Sequence, residues 1–131
     1  MLNKYPNEVN LIIKHYPLRM HKFARQASLA ALAAAGQGKY NEISRLFFKH
    51  SKELNDETIR EYAVGIGLDM QKFDKDYHDP SLNKIIDEDT RLGDRLKIRG
   101  VPSVFISGRS AKSRSLSSLS QMVDQELKKG N

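Results

Sequence analysis

The sequence predicts an α/β fold in which a block of helices is flanked by short strands. Three observations predict it. The apolar run Leu11-Ile12-Ile13 is typical of a buried strand. Residues 20–96 repeatedly carry helical spacing and helix-capping residues. Residues 99–108 contain a glycine, an X-Pro bond, a β-branched and aromatic segment and a second glycine, which predicts a loop that leads into a strand and a turn.

The N-terminal segment is predicted to contain the end of a helix followed by a strand. Residues 1–5 have helix-spaced apolar side chains and are followed by Pro6, so they are expected to be the last turn of a helix. Residues 8–16 alternate at first and then become continuously apolar, which predicts a buried parallel strand. Pro17 ends it.

The next segment is helical. Alanine is dense along one stripe of the first helix, so that another backbone is expected to approach it closely. The third helix has either Asn55 or Asp56 as its N-cap, and a short fourth helix starts at Asp69. The expected spans are residues 20–35, residues 40–49, a helix that closes at Gly67, and the short helix after it.

The C-terminal segment combines a long helix, a hairpin and a last helix. Asp79-Pro80 pairs an N-cap with a proline at the first helical position and starts a helix to about residue 96. A strand over 103–106 is expected to turn at 107–109 and return over 110–114 as a polar edge strand. Ser115 caps a final helix that ends at Gly130.

The composition limits the kinds of chemistry and the kinds of partner that this sequence supports. The 131 residues contain no cysteine, which excludes disulfides, thiolate metal sites and thiol nucleophiles within this sequence. The net charge of +6 is concentrated in residues 1–50, where eight Lys/Arg face two Asp/Glu. Because no aromatic residues interleave with clustered arginines, this basic half predicts a solvated face and no nucleic-acid partner. No apolar run reaches membrane-span length, and residues 1–6 lack a signal-peptide pattern.

Other candidate sites receive little support. The four histidines show no metal-ligand spacing, so no metal is expected. The acidic run Asp87-Glu88-Asp89 is expected to be a solvated helix face, since consecutive helical residues point in different directions. The serines lack a nucleophile elbow and the glycines form no nucleotide-binding pattern. No catalytic residue and no cofactor are predicted.

Several motifs together resemble a known family. The run Gly100-Val101-Pro102-Ser103-Val104-Phe105-Ile106-Ser107-Gly108 resembles the cis-proline loop and following strand of thioredoxin-superfamily proteins, specifically the DsbA-like thiol-disulfide oxidoreductases. The run Lys14-His15-Tyr16-Pro17-Leu18 resembles the family's strand-end pattern, residues 27–38 its alanine-rich helix with a glycine pair, and Gly67-Leu68-Asp69 its insertion turn.

The resemblance implies one thioredoxin-like domain over residues 1–131, with a helical insertion at about 20–78 and without the family's first core strand and Cys-X-X-Cys segment. It also implies that the backbone at Val101, Pro102 and Ser103 pairs with an extended polypeptide substrate, although a proline that opens the strand and is kept for fold geometry is the simpler interpretation. His15, near the end of the predicted strand, is the histidine expected in that groove, although a purely structural role is the simpler interpretation.

Two hypotheses follow. The first is that the chain is the larger, C-terminal part of a DsbA-family oxidoreductase, N-terminally truncated and therefore redox-inactive, whose parent activity is dithiol-disulfide exchange in exported proteins. The second is a redox-dead thioredoxin-like module that binds polypeptide or dimerises.

A homodimer formed through exposed strand edges is expected in either case, because the missing strand leaves two edges without partners. The family is typically periplasmic or extracytoplasmic.

Overall fold

A computed structural model describes residues 1–130, which form two compact units. The hairpin unit contains Met1–Ile13 and the chain from Lys97 onward, and the helical unit is Lys14–Leu96. That the whole sequence is one domain stays a prediction. In chain order the elements are α1 (Ala24–Ala35), α2 (Tyr40–Lys49), a 3₁₀ turn (Ser51–Glu53), α3 (Asp56–Gly65), α4 (Met70–Tyr77), α5 (Pro80–Arg95), β1 (Phe105–Ile106), β2 (Arg109–Ser110) and α6 (Leu116–Lys129).

The core of the helical unit lies around α1, which contacts α2, α3, α4 and α5. Ala30 and Ala34 on α1 are fully buried, and their small side chains allow neighbouring helices to approach closely. Larger side chains from the surrounding helices fill the remaining space. The core members are Ala30, Ala31, Ala33, Ala34, Ile43, Phe47, Ile59, Ala63, Leu68 and Phe73.

Local capping explains where several helices begin and end. The N-cap of α3 is Asn55, whose side chain accepts from the Thr58 N–H while the Thr58 hydroxyl accepts from the Asn55 N–H, both at 2.9 Å. Asp69 and Asp79 cap α4 and α5. Gly67, two residues beyond α3, has φ +81°, a conformation that favours glycine. These starts agree with the sequence analysis.

The first helix starts later than predicted. The sequence indicated a start at residue 20, but α1 begins at Ala24 and residues 19–23 form turns. Met20 is 82% exposed, so the preceding turn gains no burial to offset the ordering of its backbone.

The hairpin unit contains the two short strands and α6. Phe105 lies opposite Ser110 and Ile106 opposite Arg109 in an antiparallel pair. The connecting residues Ser107 and Gly108 have φ of 50° and 81°, as a type I′ turn requires. The strands are shorter than predicted: β1 and β2 have two residues each, because no further strand borders them among the described residues. Ser115 caps α6 as expected.

The strand predicted over residues 8–16 is not formed. Residues 9–18 carry no regular secondary structure, and the side chains of Leu11, Ile12 and Ile13 are 65%, 75% and 49% exposed. A strand exists only when a neighbour accepts its backbone hydrogen bonds, and within residues 1–130 none pairs with this segment. The apolar pattern therefore identifies a segment with strand-like residues that has no strand to pair with among residues 1–130.

Candidate functional site

The candidate site of the hairpin unit is the loop before β1. Val101, Pro102 and Ser103 are all exposed, and the Val101–Pro102 peptide bond is cis. The Ser103 hydroxyl donates to the Gly100 carbonyl oxygen at 2.6 Å, which closes the loop on itself. The structure therefore brings the three predicted loop residues together on the surface.

Val101 offers free backbone groups. Neither its N–H nor its C=O forms a hydrogen bond with any of residues 1–130, and its side chain is 49% exposed. A donor and an acceptor on one residue are what an extended peptide needs to add to an exposed backbone. The loop is thus able to form a short antiparallel bridge with another chain.

Phe105 is an exposed neighbour of this loop that the sequence analysis missed. It was expected in a buried strand, but its side chain is 39% exposed, whereas Ile106 is less accessible. Successive strand residues point to opposite faces, so the two-residue period was the signal that distinguishes them. Phe105 adds an apolar surface directly after the loop.

His15 belongs to the helical unit, where its surroundings fix its position. Its backbone N–H donates to Asp89 Oδ2 at 2.9 Å, and its ring lies edge-on to Tyr40 with centroids 6.0 Å apart. The ring is half-buried. These contacts give His15 a structural role in attaching the segment before α1 to α5.

Asp89 corrects the prediction of a uniformly solvated acidic face. It is only 8% exposed, and besides the His15 N–H it has the Lys14 ammonium at 3.4 Å. Its neighbour Asp87 pairs with Arg25 at 2.8 Å. The prediction was wrong for Asp89 because a buried carboxylate needs partners distant in sequence, and here a backbone N–H and a lysine supply them.

Burial gives His15 a pH-dependent effect on stability. Desolvation lowers the pKa of its imidazole below the ordinary 6.5, and the Asp89 carboxylate opposes part of this shift. Because the folded pKa is lower than the unfolded one, the contribution to stability is present above pH 6.5 and is lost as the pH falls from there through the folded value. Between about pH 7.5 and about pH 5, urea unfolding should show a larger loss for the parent chain than for His15→Gln. Equal losses would contradict this account.

The described residues hold no group of three or more His, Asp or Glu side chains placed to bind a metal ion. None of the helices in residues 1–130 combines the length and the apolar character required to cross a membrane.

A cis-proline loop before a hairpin, and a helical unit, are features expected of a thioredoxin-like fold of the DsbA type. Comparison with known families bears this out: the DSBA-like thioredoxin domain family matches residues 2–125. The chain therefore belongs to that family, and both the resemblance and the fold class predicted from the sequence are confirmed.

Two solved structures share the fold. A thioredoxin-like oxidoreductase from Silicibacter pomeroyi DSS-3 has a TM-score of 0.81 and 25% identity, with 98% of this chain and 73% of that chain covered. Proteus mirablis DsbA, in complex with a non-covalently bound peptide PWATCDS, has a TM-score of 0.75 and 16% identity, with 96% and 75% covered.

The curated relatives are longer proteins. The Na(+)/H(+) antiporter NhaA 1 of Mycobacterium sp. (strain KMS) is 30% identical over 111 residues, which is 82% of this chain and 18% of that protein. The probable disulfide bond formation protein D of Bacillus anthracis is 34% identical over 111 residues, or 74% of this chain and 51% of that protein. This chain thus spans about a fifth of the first and about half of the second.

Proposed function

We propose that these residues are the larger, C-terminal part of a DsbA-family thiol-disulfide oxidoreductase, and that they bind extended polypeptide without exchanging disulfides themselves. The observation that carries the proposal is the family match over residues 2–125 in a sequence that contains no cysteine. Exchange begins with attack of a thiolate on a disulfide, so this chain alone should reduce or oxidise no substrate.

The parent activity would be dithiol-disulfide exchange in exported proteins, and its redox cysteines would lie in a segment outside these residues. Reading the coding sequence upstream of Met1 tests this part. An in-frame Cys-X-X-Cys within about 30 codons supports it, since a strand and half a helix occupy about that length. An in-frame stop codon instead of that motif would contradict it.

Polypeptide binding is assigned to the loop at Val101, Pro102 and Ser103. In its support, the Val101 N–H and C=O are unpaired within residues 1–130, and the neighbouring Phe105 side chain is exposed. The solved Proteus mirablis DsbA, which has a similar fold, holds a peptide non-covalently, and this is the kind of binding proposed for the loop. The His15 backbone N–H is held by Asp89, and a role of its imidazole in peptide binding stays a prediction.

A charge at Val101 should disrupt this binding. Val101→Asp places a carboxylate where the apolar side chain of a bound peptide would pack, so we expect the affinity for PWATCDS to fall at least about 5-fold from a Kd on the order of 1 mM. Heteronuclear NMR titration of the full chain measures it. The control, Ser117→Asp, adds the same charge at an exposed position in α6 and should change the affinity less than about 2-fold. Equal effects of the two variants would contradict the assignment of peptide binding to this loop.

The second candidate is a redox-dead module that dimerises. It is favoured by the exposed Leu11, Ile12 and Ile13, which have no strand partner within residues 1–130. The proposed occupant of this segment is the same segment of a second copy, paired across a two-fold axis, because such an edge is self-complementary. Light scattering at micromolar concentration should give twice the chain mass, and a monomeric mass would exclude this candidate.

A further inference from the structure

The chain around the proline loop carries positive charge and no acidic residue. Residues 97–123 contain five Lys/Arg and no Asp/Glu. All of them belong to the hairpin unit, which also contains the loop before β1. The positive charge is therefore concentrated at the element to which polypeptide binding is assigned.

Two of the acidic residues of the hairpin unit are already engaged. Glu126 on α6 pairs with Arg109 at 2.8 Å and with Lys129 at 3.0 Å. Asp124 lies 3.8 Å from the Lys4 ammonium. These two carboxylates therefore balance cations of the hairpin turn, of the end of α6 and of the N-terminal turn.

Three exposed cations near the loop have no carboxylate partner. Arg99, Lys112 and Arg114 are all exposed, and none forms an ion pair with residues 1–130. Glu8, the third acidic residue of the hairpin unit, pairs with none of them. Their charge is thus available to a ligand.

The hairpin register places one of these cations beside the loop. The Ala111 N–H donates to the Val104 carbonyl oxygen at 2.8 Å, so the pairing of β1 with β2 continues one residue beyond both strands. The next position in this register is Lys112 opposite Ser103, and neighbouring strands lie about 4.8 Å apart. Lys112 is therefore an immediate neighbour of the loop.

A second cation lies on the other side of the loop along the chain. Arg99 precedes Val101 by two residues, which is at most about 7 Å of chain. The N–H and C=O of Val101 are unpaired within residues 1–130. A peptide whose backbone pairs with Val101 would therefore have its flanking residues close to long cationic side chains.

We propose that the polypeptide bound at the proline loop carries acidic residues on either side of the segment that pairs with Val101. This inference rests on the proposed function and adds the chemical class of the substrate. The Arg99 guanidinium would donate two parallel hydrogen bonds to one carboxylate, and the Lys112 ammonium would pair with another. The backbone groups of Val101 would hold the peptide, and the cations would select its sequence.

The surface fits an acidic polypeptide better than a nucleic acid. Phe105 is the one aromatic residue in 97–123, whereas binding of a single-stranded nucleic acid relies on several aromatic faces for base stacking. The free donor and acceptor of Val101 match the backbone of an extended peptide.

The test uses three end-blocked peptides and NMR on the full chain. Each has the core PWATCDS, flanked on both sides by two Glu, two Gln or two Lys. In about 20 mM NaCl, the Glu peptide should bind at least about 5-fold more tightly than the Gln peptide, and the Lys peptide more weakly than the Gln peptide. In about 0.5 M NaCl, where the Debye length is about 4 Å, the Glu and Gln peptides should differ less than about 2-fold.

Two double variants separate a local effect from the net charge of the chain. Arg99→Gln with Lys112→Gln should reduce the preference for the Glu peptide over the Gln peptide to less than about 2-fold. The control, Arg45→Gln with Lys128→Gln, removes the same charge from exposed positions of α2 and α6 and should retain a preference of at least about 4-fold. All four side chains are exposed, so both double variants should fold.

The outcomes distinguish this inference from the proposed function. If the three peptides shift the Val101 and Ser103 amides with equal affinity, loop binding is retained and the acidic preference is overturned. If no peptide shifts those amides, loop binding fails and the acidic preference fails with it. An equal loss of preference in the two double variants, or tighter binding of an oligothymidylate of matched length than of the Glu peptide, would also overturn the inference.

Discussion

Ile43→Ala is expected to lower the free energy of unfolding of the helical unit by about 3 kcal/mol. Ile43 lies on α2 with none of its side chain exposed, inside the cluster that surrounds α1. Truncation removes its buried methyl and methylene groups and leaves a cavity. The residues of α1 that border this core are alanines, and their side chains are too short to move in and fill the cavity.

Phe48→Ala is the matched control on the same helix. The Phe48 side chain is 83% exposed, so its loss should change the free energy of unfolding by less than about 0.5 kcal/mol despite the larger number of atoms removed. Urea titrations followed by circular dichroism measure both variants. If Phe48→Ala destabilised as much as Ile43→Ala, the assignment of the buried and exposed faces of α2 would be wrong.

Tyr5→Ala should have an effect of similar size in the hairpin unit, about 3 kcal/mol. The Tyr5 side chain is 6% exposed, and its hydroxyl donates to the Asp124 carboxylate at 2.6 Å, with the Ser120 carbonyl oxygen at 3.2 Å. The ring therefore attaches the N-terminal turn to α6. Without it, the turn loses its buried contact with α6 and keeps the exposed Lys4–Asp124 ion pair at 3.8 Å.

Tyr5→Phe separates the ring from the hydroxyl. It keeps the buried ring and removes only the hydrogen bonds, so we expect a loss of about 1 kcal/mol. Leu2→Ala, at a side chain that is 45% exposed, serves as the control in the same turn. Amide hydrogen exchange in α6 reports on all three variants. A loss for Tyr5→Phe as large as that for Tyr5→Ala would contradict the dominant role of the ring.

The helices were predictable because their signals are local. Asp69 and Asp79 each lie beside the backbone N–H groups that they cap, so sequence alone identifies them. For α3 the sequence narrowed the N-cap to Asn55 or Asp56, and the structure shows Asn55. The predicted strand at residues 8–16 failed for the opposite reason. Its apolar pattern is real, but pairing depends on a neighbouring strand that the described residues do not provide.

The candidate sites also differ in whether their signals are local in sequence. The residues of the loop at Val101, Pro102 and Ser103 are contiguous, so a sequence motif was enough to predict the loop. The partners of Asp89 lie about 75 residues away, at Lys14 and His15, and no local pattern indicates them.

An amide map of the chain during titration with the peptide PWATCDS tests the central claim most directly, since that claim is thiol-free binding of polypeptide at the proline loop. The expected result is that the largest shifts in ¹H–¹⁵N spectra occur at the amides of Val101 and Ser103 and continue into β1, with no covalent adduct by mass spectrometry. Saturating peptide that leaves those amides unmoved, or moves only residues elsewhere, would contradict it.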